Sequence, residues 1–186
     1  MTLDVRRLTL DVRHLTWQKP ETQNPKLETN MATEIEHKYL VKNDSFLNRT
    51  EQVIHIRQGY LSHSRQCTVR VRVTDQHAYV TIKGHGNGLS RPEFEYEIPL
   101  SDGEQLLSMS QNRIVVKDRH IVTDHGNRWE VDVYHGVLEG LMTAELEVPS
   151  EEYTYPLPDF VGRDVTGDSS YSNASLSRLD SPPAQA

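Results

Sequence analysis

Residues 93–98 read Glu-Phe-Glu-Tyr-Glu-Ile, so acidic and apolar side chains alternate along the whole stretch. Successive side chains of a β-strand point to opposite faces, and this alternation therefore predicts a strand with one purely acidic face. Further alternating segments lie near residues 33–41, 54–62, 66–74, 77–83, 113–122, 128–134 and 143–148. Eight short strands separated by hairpin-length gaps predict a closed, eight-stranded antiparallel β-barrel.

A few helices are predicted at the periphery of this barrel, which makes the fold class β-rich (α+β). One runs from residue 44 or 45 to about residue 52. A second opens at Ser101, because residues 101–104 have the spacing of a capping box ahead of a pair of leucines. A short third helix follows Ser172 and ends near residue 179.

The chain has 186 residues, which suits one domain with a single core. Residues 1–31 contain a short duplication, 2–8 and 9–15, and then a polar stretch with prolines. Two copies of so short a repeat cannot form a core, and we predict a disordered N-terminal extension. The domain is expected over residues 32–180, and residues 181–186 are expected to be a frayed tail.

Composition excludes several classes of function. The net charge of −7 argues against binding to a nucleic acid duplex, but it allows a small polyanion in a locally basic pocket. No segment approaches the ~18 to 20 apolar residues of a membrane span, and the first 30 residues lack the apolar core of a secretory signal. We therefore predict a cytoplasmic protein that does not enter a membrane.

The predicted strands sort their charges by sign. Arg70 and Arg72 share one face of a strand whose other face is formed by valines. Acids dominate one face in Glu34 and Glu36, which share it with Lys38, in Glu93, Glu95 and Glu97, in Glu130 and Asp132, and in Glu145 and Glu147, while Lys117 and Arg119 share a basic face. For any one strand the simpler interpretation is the solvated face of a β-sandwich. Like charges at i and i+2 repel, however, and a solvated face has no reason to separate acids from bases.

Six sorted strands together favour charged faces that point into the barrel. The apolar faces must then be covered from outside, and Phe46, Leu47, Leu106, Leu107 and Met109 are available for that. A charged interior is stable only if opposite charges pair or a ligand completes them. These patterns alone predict a charged, ligand-filled tunnel and no particular reaction.

The segment Glu34-Ile-Glu36-His-Lys38 resembles the ExExK signature of the CYTH superfamily, also called the triphosphate tunnel metalloenzymes, and above all its short bacterial members. Segments similar to the later strand motifs follow in the family's order: Arg57-Gln-Gly-Tyr-Leu61, Val69-Arg-Val-Arg72, Thr81-Ile-Lys83-Gly, Glu93-Phe-Glu95, Val116-Lys117-Asp-Arg119, Trp129-Glu-Val-Asp132 and Ala144-Glu145-Leu-Glu147. Residues 162–168 and Tyr171-Ser-Asn173 resemble its C-terminal segment. The resemblance covers roughly residues 32–179.

This resemblance implies a triphosphate substrate and dependence on Mg²⁺ or Mn²⁺. Carboxylates suit these hard cations, and the implied metal ligands are Glu34, Glu36, Asp132, Glu145 and Glu147. Arginine and lysine suit phosphoryl oxygens, and the implied substrate-binding residues are Lys38, Arg57, Arg70, Arg72, Lys83, Lys117 and Arg119. Glu93, Glu95 and Lys38 are the candidate catalytic residues, the two glutamates by holding or activating a water.

The expected activity is hydrolysis of inorganic tripolyphosphate. A class IV adenylate cyclase or a thiamine triphosphatase must also hold an organic group, commonly by stacking on an aromatic ring, and the motifs offer only Tyr60 and Tyr79 for that. Both remain as alternatives, together with a non-catalytic polyphosphate-binding module. The sequence leaves open whether the barrel forms a homodimer.

Overall fold

The computed structural model describes residues 35–64, 66–84 and 92–184. The predictions for the extension over residues 1–31, for Glu34 and for the last two residues of the tail lie outside the described residues. Within them, no helix is long and apolar enough to cross a membrane.

The domain is built on one antiparallel sheet of nine strands. The strands are β1 (Ile35–Val41), β2 (Thr50–His63), β3 (Cys67–Val73), β4 (Ala78–Gly84), β5 (Glu93–Ile98), β6 (Val115–Asp124), β7 (Asn127–Tyr134), β8 (Met142–Val148) and β9 (Val161–Asp164). Their order in the sheet is β5-β4-β3-β2-β6-β7-β8-β1-β9. All eight segments predicted from alternation are strands, and the β-rich antiparallel fold is confirmed.

The sheet differs from the prediction in strand number and in closure. The ninth strand, Val161–Asp164, pairs with β1, and its sequence Val-Gly-Arg-Asp has no alternation that could have predicted it. Gly162 is required there because a Cβ would lie 2.9 Å from the Leu40 carbonyl oxygen. Strands β5 and β9 are the two edges, and no ladder joins them within the described residues. The sheet curls into a tunnel without a closed ring of hydrogen bonds.

In the described part of the chain, two helices and three short 3₁₀ turns accompany the sheet. The helices are α1 (Leu100–Ser108) and α2 (Asn173–Leu176), and the turns are Ser45–Arg49, Gly136–Leu138 and Ser169–Tyr171. The predicted capping box is wrong, because α1 begins one residue before Ser101 and its N-cap, Pro99, has no side-chain cap. At α2 the predicted start is confirmed, since Ser172 is the N-cap and its hydroxyl accepts from the Ser175 N–H, but the helix ends at Leu176 and not near residue 179.

Apolar side chains cover the outer face of the sheet, as the inside-out arrangement requires. Helix α1 packs on β3 and β4, where Leu107 joins Val71, Val73 and Ala78 in a buried cluster. A second cluster on β1, β7 and β8 surrounds Trp129. Of the residues expected to cover this face, Phe46 and Leu107 are buried and Leu106 is partly buried. Leu47 and Met109 are 50% and 68% exposed and do not serve this purpose.

The C-terminal segment packs against the inner face at one end of the sheet. Leu40, Val115 and Tyr134 point to that face, and Tyr171 and Leu176 pack with them in a third buried cluster. The end of the tunnel near this cluster is therefore lined by apolar side chains, and the charged groups lie beyond it.

Candidate functional site

Strand register places two sets of charged residues on the inner face. On one side of the sheet, Glu36 lies opposite Glu147 and Lys38 opposite Glu145 in the ladder between β1 and β8. The ladders that follow align Glu145 with Glu130 and Arg119 with Asp132. On the other side, Arg70 lies opposite Thr81 and Thr81 opposite Glu95, while Lys83 lies opposite Glu93. The sorted charges of the sequence thus share one surface.

The two sets face each other because the sheet curls. Five strands separate β4 from β1 in the sheet order, yet the charge of Lys83 on β4 contributes to the pKa of Glu36 on β1. In the same way, the charges of Arg119 on β6 and Glu130 on β7 influence the pKa of Arg72 on β3. Such influence requires proximity across the tunnel.

Arg57 does not belong to this face. Its partners in the two neighbouring ladders are Val73 and Val116, which lie on the outer side of the sheet. Its guanidinium binds the carboxylate of Glu104 on α1, with one N–H···O distance of 3.0 Å. The prediction that Arg57 lines the tunnel with the other bases is therefore wrong. In the general pattern of the sheet, charged residues face the tunnel and apolar residues face outward. In β2 this is reversed, because the apolar Ile56 lies opposite Lys117 on the inner face.

Lys38 and Glu145 form a central ion pair. Lys38 Nζ lies 2.7 Å from Glu145 Oε1 and 3.7 Å from Glu36. Arg119 reaches the other oxygen of Glu145 at 2.8 Å. Burial on its own would raise the pKa of Glu145, but the charges of Lys38, Arg119 and Lys117 outweigh it and lower the pKa well below its usual value. Burial would likewise lower the pKa of Lys38, and Glu145 and Glu36 raise it instead.

Lys117 and Asp132 lie deepest, with side chains only 1% and 0% exposed. They form a direct ion pair, and Arg119 also donates to Asp132 from Nε at 2.7 Å and from Nη2 at 2.8 Å. Burial and the charge of Arg119 lower the pKa of Lys117. Two cations therefore share one buried carboxylate, and this pocket holds more positive charge than Asp132 alone can balance.

Arg70 and Arg72 converge on Glu95. Arg72 donates to Glu95 at 2.8 Å and Arg70 at 3.3 Å, while the hydroxyl of Thr81 accepts from Arg70 and donates to Glu95 at 2.7 Å. The Nε atoms of both arginines are buried, and within the described part of the chain neither has a hydrogen-bond partner. Burial and the neighbouring charge of Arg70 lower the pKa of Arg72. A buried donor without an acceptor is costly, so both groups are suited to an incoming anion.

Lys83 and Glu93 form an ion pair of their own, next to this group. Glu93 also lies 3.9 Å from Arg70. The two predicted catalytic glutamates are therefore both bound by bases on β3 and β4.

Glu36 and Glu147 are exposed carboxylates on the β1 and β8 side of the inner face. They lie directly opposite each other in the ladder, although like charges in that position repel. Glu36 is reached by solvent, with 49% of its side chain exposed. Burial by the surrounding protein and the charge of Glu145 raise its pKa nevertheless. Among the described residues, this pair has no ion-pair contact to a lysine or arginine except the one between Lys38 and Glu36 at 3.7 Å.

The carboxylates fit a magnesium-type ion that is bound jointly with a substrate. Among the described residues, no three Asp, Glu, His or Cys side chains are gathered into a complete metal-holding group. Mg²⁺ typically keeps several waters and binds through one or two carboxylates plus substrate phosphates, so a preformed cage is not required. Glu36 and Glu147 supply two carboxylates at paired positions of the ladder between β1 and β8, with Lys38 Nζ 3.7 Å from Glu36. Glu145 and Asp132 are already held by lysine and arginine.

Several residues of the site were not predicted. Thr81 connects Arg70 to Glu95, and Glu130 binds both Arg119 and Arg128. Tyr134 lies under Lys117, with the ring centroid 5.5 Å from Nζ. Glu130 and Thr81 could have been found from alternation, since each shares a face with a predicted site residue. The position of Tyr134 depends on tertiary packing and left no such signal.

An antiparallel sheet that curls around opposed acids and bases defines the class of tunnel-fold β-proteins with a charged interior. The chain belongs to the CYTH domain family, which matches residues 32–176. Triphosphatases of this family generally depend on a divalent metal ion.

Two bacterial relatives are described as inorganic triphosphatases. The relative from Acetivibrio thermocellus is 40% identical over 147 residues, which cover 78% of this chain and 94% of the relative. The relative from Nitrosomonas europaea is 34% identical over 148 residues, which cover 77% and 96%. The crystal structure of the inorganic triphosphatase NE1496 superimposes with a TM-score of 0.60 at 31% identity, covering 82% of this chain and 99% of that one.

Proposed function

We propose that this protein hydrolyses inorganic tripolyphosphate in the tunnel, with Mg²⁺ or Mn²⁺ as the metal ion. The observation that carries the proposal is the pair of buried Nε donors on Arg70 and Arg72, which have no hydrogen-bond partner among the described residues and lie on the wall that faces Arg119 on β6 and Glu130 on β7. The description of both bacterial relatives as inorganic triphosphatases supports the same substrate.

The bases of the inner face bind the phosphate chain. Arg70 and Arg72 present forked donors from one wall, and Arg119 presents another from the opposite wall. Lys38, Lys83 and Lys117 add point charges between them. A tripolyphosphate carries several negative charges along a short chain, so it satisfies both walls at once. Arg57 is not part of this proposal, because it lies on the outer face.

The carboxylates on β1, β7 and β8 hold the metal ion. Glu36 and Glu147 are the accessible ligands, Glu145 and Asp132 lie deeper, and Glu34 belongs to the proposed set from its place in the ExExK motif. A divalent ion held by these carboxylates would supply positive charge against the phosphoryl oxygens and a binding position for the attacking water. The choice between Mg²⁺ and Mn²⁺ in the cell depends on the concentration of each ion as much as on these ligands.

Glu93 and Glu95 are the proposed residues that accept a hydrogen bond from the attacking water and orient it. Lys38 is the proposed catalytic cation. The glutamates stand beside the arginines that hold the substrate: Glu95 accepts a hydrogen bond from Arg72 at 2.8 Å, and Glu93 lies 3.9 Å from Arg70. In this arrangement a carboxylate can orient the water while the neighbouring guanidinium groups stabilise charge on the phosphate. Lys38 stands on the metal side of the tunnel, between Glu36 and Glu145.

An organic end of the substrate finds little support on the inner face. Tyr60 is buried, at 4% exposure. The ring of Tyr79 already contacts the guanidinium of Arg72 at 5.1 Å and the ring of His77 at 6.1 Å. The inner face therefore favours an inorganic chain over a nucleotide or thiamine triphosphate.

One assay tests the proposal. The purified chain is incubated with tripolyphosphate, ATP and thiamine triphosphate in Mg²⁺ or Mn²⁺, and orthophosphate and cyclic AMP are measured separately. We expect orthophosphate from tripolyphosphate at the highest rate. Cyclic AMP from ATP would support a cyclase instead, and binding without any product would support a polyphosphate-binding module.

A further inference from the structure

We propose that Asn173 in the C-terminal segment is a positioning residue for the tunnel, acting on Lys117 through Tyr134. This inference rests on the proposed function, because Lys117 is one of the bases assigned to the substrate. Asn173 itself lies in α2, outside the sheet and outside the charged inner face.

The first link is a hydrogen bond from the sheet to the C-terminal segment. The hydroxyl of Tyr134 donates to Asn173 Oδ1 at 3.1 Å. Thr143 Oγ1 lies 3.4 Å from the same hydroxyl. Tyr134 has a single hydroxyl proton, and since Asn173 receives it, Thr143 must be the donor in the second contact. Tyr134 is completely buried, so both contacts are needed to satisfy its hydroxyl.

The second link runs from Tyr134 to Lys117. The two residues are directly opposite in the ladder between β6 and β7. Lys117 Nζ lies 5.5 Å from the centre of the Tyr134 ring, within the range of a cation–π contact. Its other partner is Asp132, which it shares with Arg119. The long lysine side chain therefore has its direction set by the ring below it and by one carboxylate.

Replacement of Asn173 by a residue without a side-chain oxygen removes the acceptor of the Tyr134 hydroxyl proton. The Tyr134 hydroxyl would then have only the longer contact to Thr143 Oγ1, at 3.4 Å, as an acceptor for its proton, and a hydrogen bond that long is weak compensation in the buried interior. A small rotation of the ring toward another acceptor relieves that cost and withdraws the support of Lys117. Asn173 thus determines the position of a substrate-binding ammonium group without contacting the substrate.

The test compares variants that change this link with a control that changes only the helix. Asn173→Ala removes the acceptor, and Asn173→Asp retains one. Ser172→Ala removes the N-cap of α2 but leaves the Tyr134 contact in place. Steady-state kinetics on tripolyphosphate and thermal unfolding are measured for each variant and for the wild type.

We expect Asn173→Ala to raise KM about fivefold, the effect of one lost neutral hydrogen bond, with a smaller change in kcat. Asn173→Asp should restore a KM close to that of the wild type. Ser172→Ala should lower the unfolding temperature with no change in KM. In the double variant Asn173→Ala/Tyr134→Phe no hydroxyl is left to drive the rotation of the ring, so KM should return toward that of the wild type.

Three results would overturn the inference: an unchanged KM in Asn173→Ala, an equal rise in Ser172→Ala, or a KM in the double variant as high as that of Asn173→Ala. If the wild type binds tripolyphosphate but does not turn it over, the proposed hydrolysis fails on its own. The same variants are then compared by calorimetric Kd, with the same expected ratios. If the wild type does not bind tripolyphosphate at all, both proposals are wrong.

Discussion

Arg70 and Arg57 lie on neighbouring strands of one sheet but on opposite faces of it, Arg70 toward Glu95 in the tunnel and Arg57 toward Glu104 on α1. Both occur in motifs that resemble those of the family, and their chemistry is the same. Because they lie on opposite faces, the two arginines differ in function: of the two, Arg70 can contact a ligand held between the two walls of the tunnel.

The first prediction follows from that difference. Arg70→Ala should lower kcat/KM on tripolyphosphate by about 100-fold or more, because a charge-assisted, forked contact to phosphate is lost. Arg57→Ala, the matched control, should stay within about twofold of the wild type. Phosphate release under steady-state conditions measures both. A comparable loss in Arg57→Ala would contradict the assignment of that residue to the outer face.

The second prediction concerns the two glutamates beside the arginines. Glu93→Gln and Glu95→Gln should lower kcat more than they raise KM. The glutamine side chain has the shape of glutamate, but its neutral amide cannot accept a proton from the attacking water. Glu97→Gln is a useful control, because Glu97 lies on the same strand and binds the exposed His77. Wild-type turnover in both Glu93→Gln and Glu95→Gln would rule out their catalytic role.

The third prediction uses a cluster on the outer face. Asp118 accepts from His55 Nδ1 at 2.6 Å and from His135 Nε2 at 2.9 Å. Although burial alone would raise it, these contacts lower the pKa of Asp118 below its usual value. A carboxyl group with a lowered pKa in the folded state stabilises the fold above its unfolded pKa, and this stabilisation is lost as the pH falls through the folded value.

Asp118→Asn should therefore reduce the free energy of unfolding by about 0.5–1.5 kcal/mol near pH 6, and the difference should shrink on acidification below about pH 4. Urea denaturation at a series of pH values measures it. Activity at neutral pH should be unchanged, because Asp118 points away from the tunnel, between Lys117 and Arg119. A difference that grows as the pH falls would contradict the sign of the shift.

The strands and the sign of their charges could be predicted because alternation is written directly into the sequence. In β5 each glutamate is followed by an apolar residue, and the structure keeps that order on its two faces. Strand β2 shows the limit of this reasoning. Its alternation of Ile54, Ile56 and Gln58 faces inward, so an apolar row lies where a charged one was expected.

What could not be predicted are contacts between residues far apart in the chain. The link from Tyr134 to Asn173 spans 39 positions and depends on how the C-terminal segment returns to the end of the sheet. Strand β9 likewise depends on a contact between distant parts of the chain. Its four residues have no alternating pattern, and they pair with the free edge of β1. Local periodicity carries no information about either.

The last prediction concerns removal of the metal ion. Chelation with EDTA should abolish turnover but lower the unfolding temperature by only a few degrees. The buried carboxylates of Asp132 and Glu145 already have protein cations as partners, so the fold does not need a metal to neutralise them. The site thus differs from a structural zinc site, whose binding energy is folding energy. Glu36 and Glu147, at the exposed end, should repel each other more strongly without the ion.

Thermal unfolding by circular dichroism, with and without EDTA and with Mg²⁺ or Mn²⁺ restored, measures the effect of the metal ion on stability directly. Glu147→Gln should then lose metal-dependent activity while keeping, or slightly raising, the unfolding temperature of the metal-free protein. Unfolding of the wild type on chelation would show that the carboxylates are not balanced by the lysines and arginines around them.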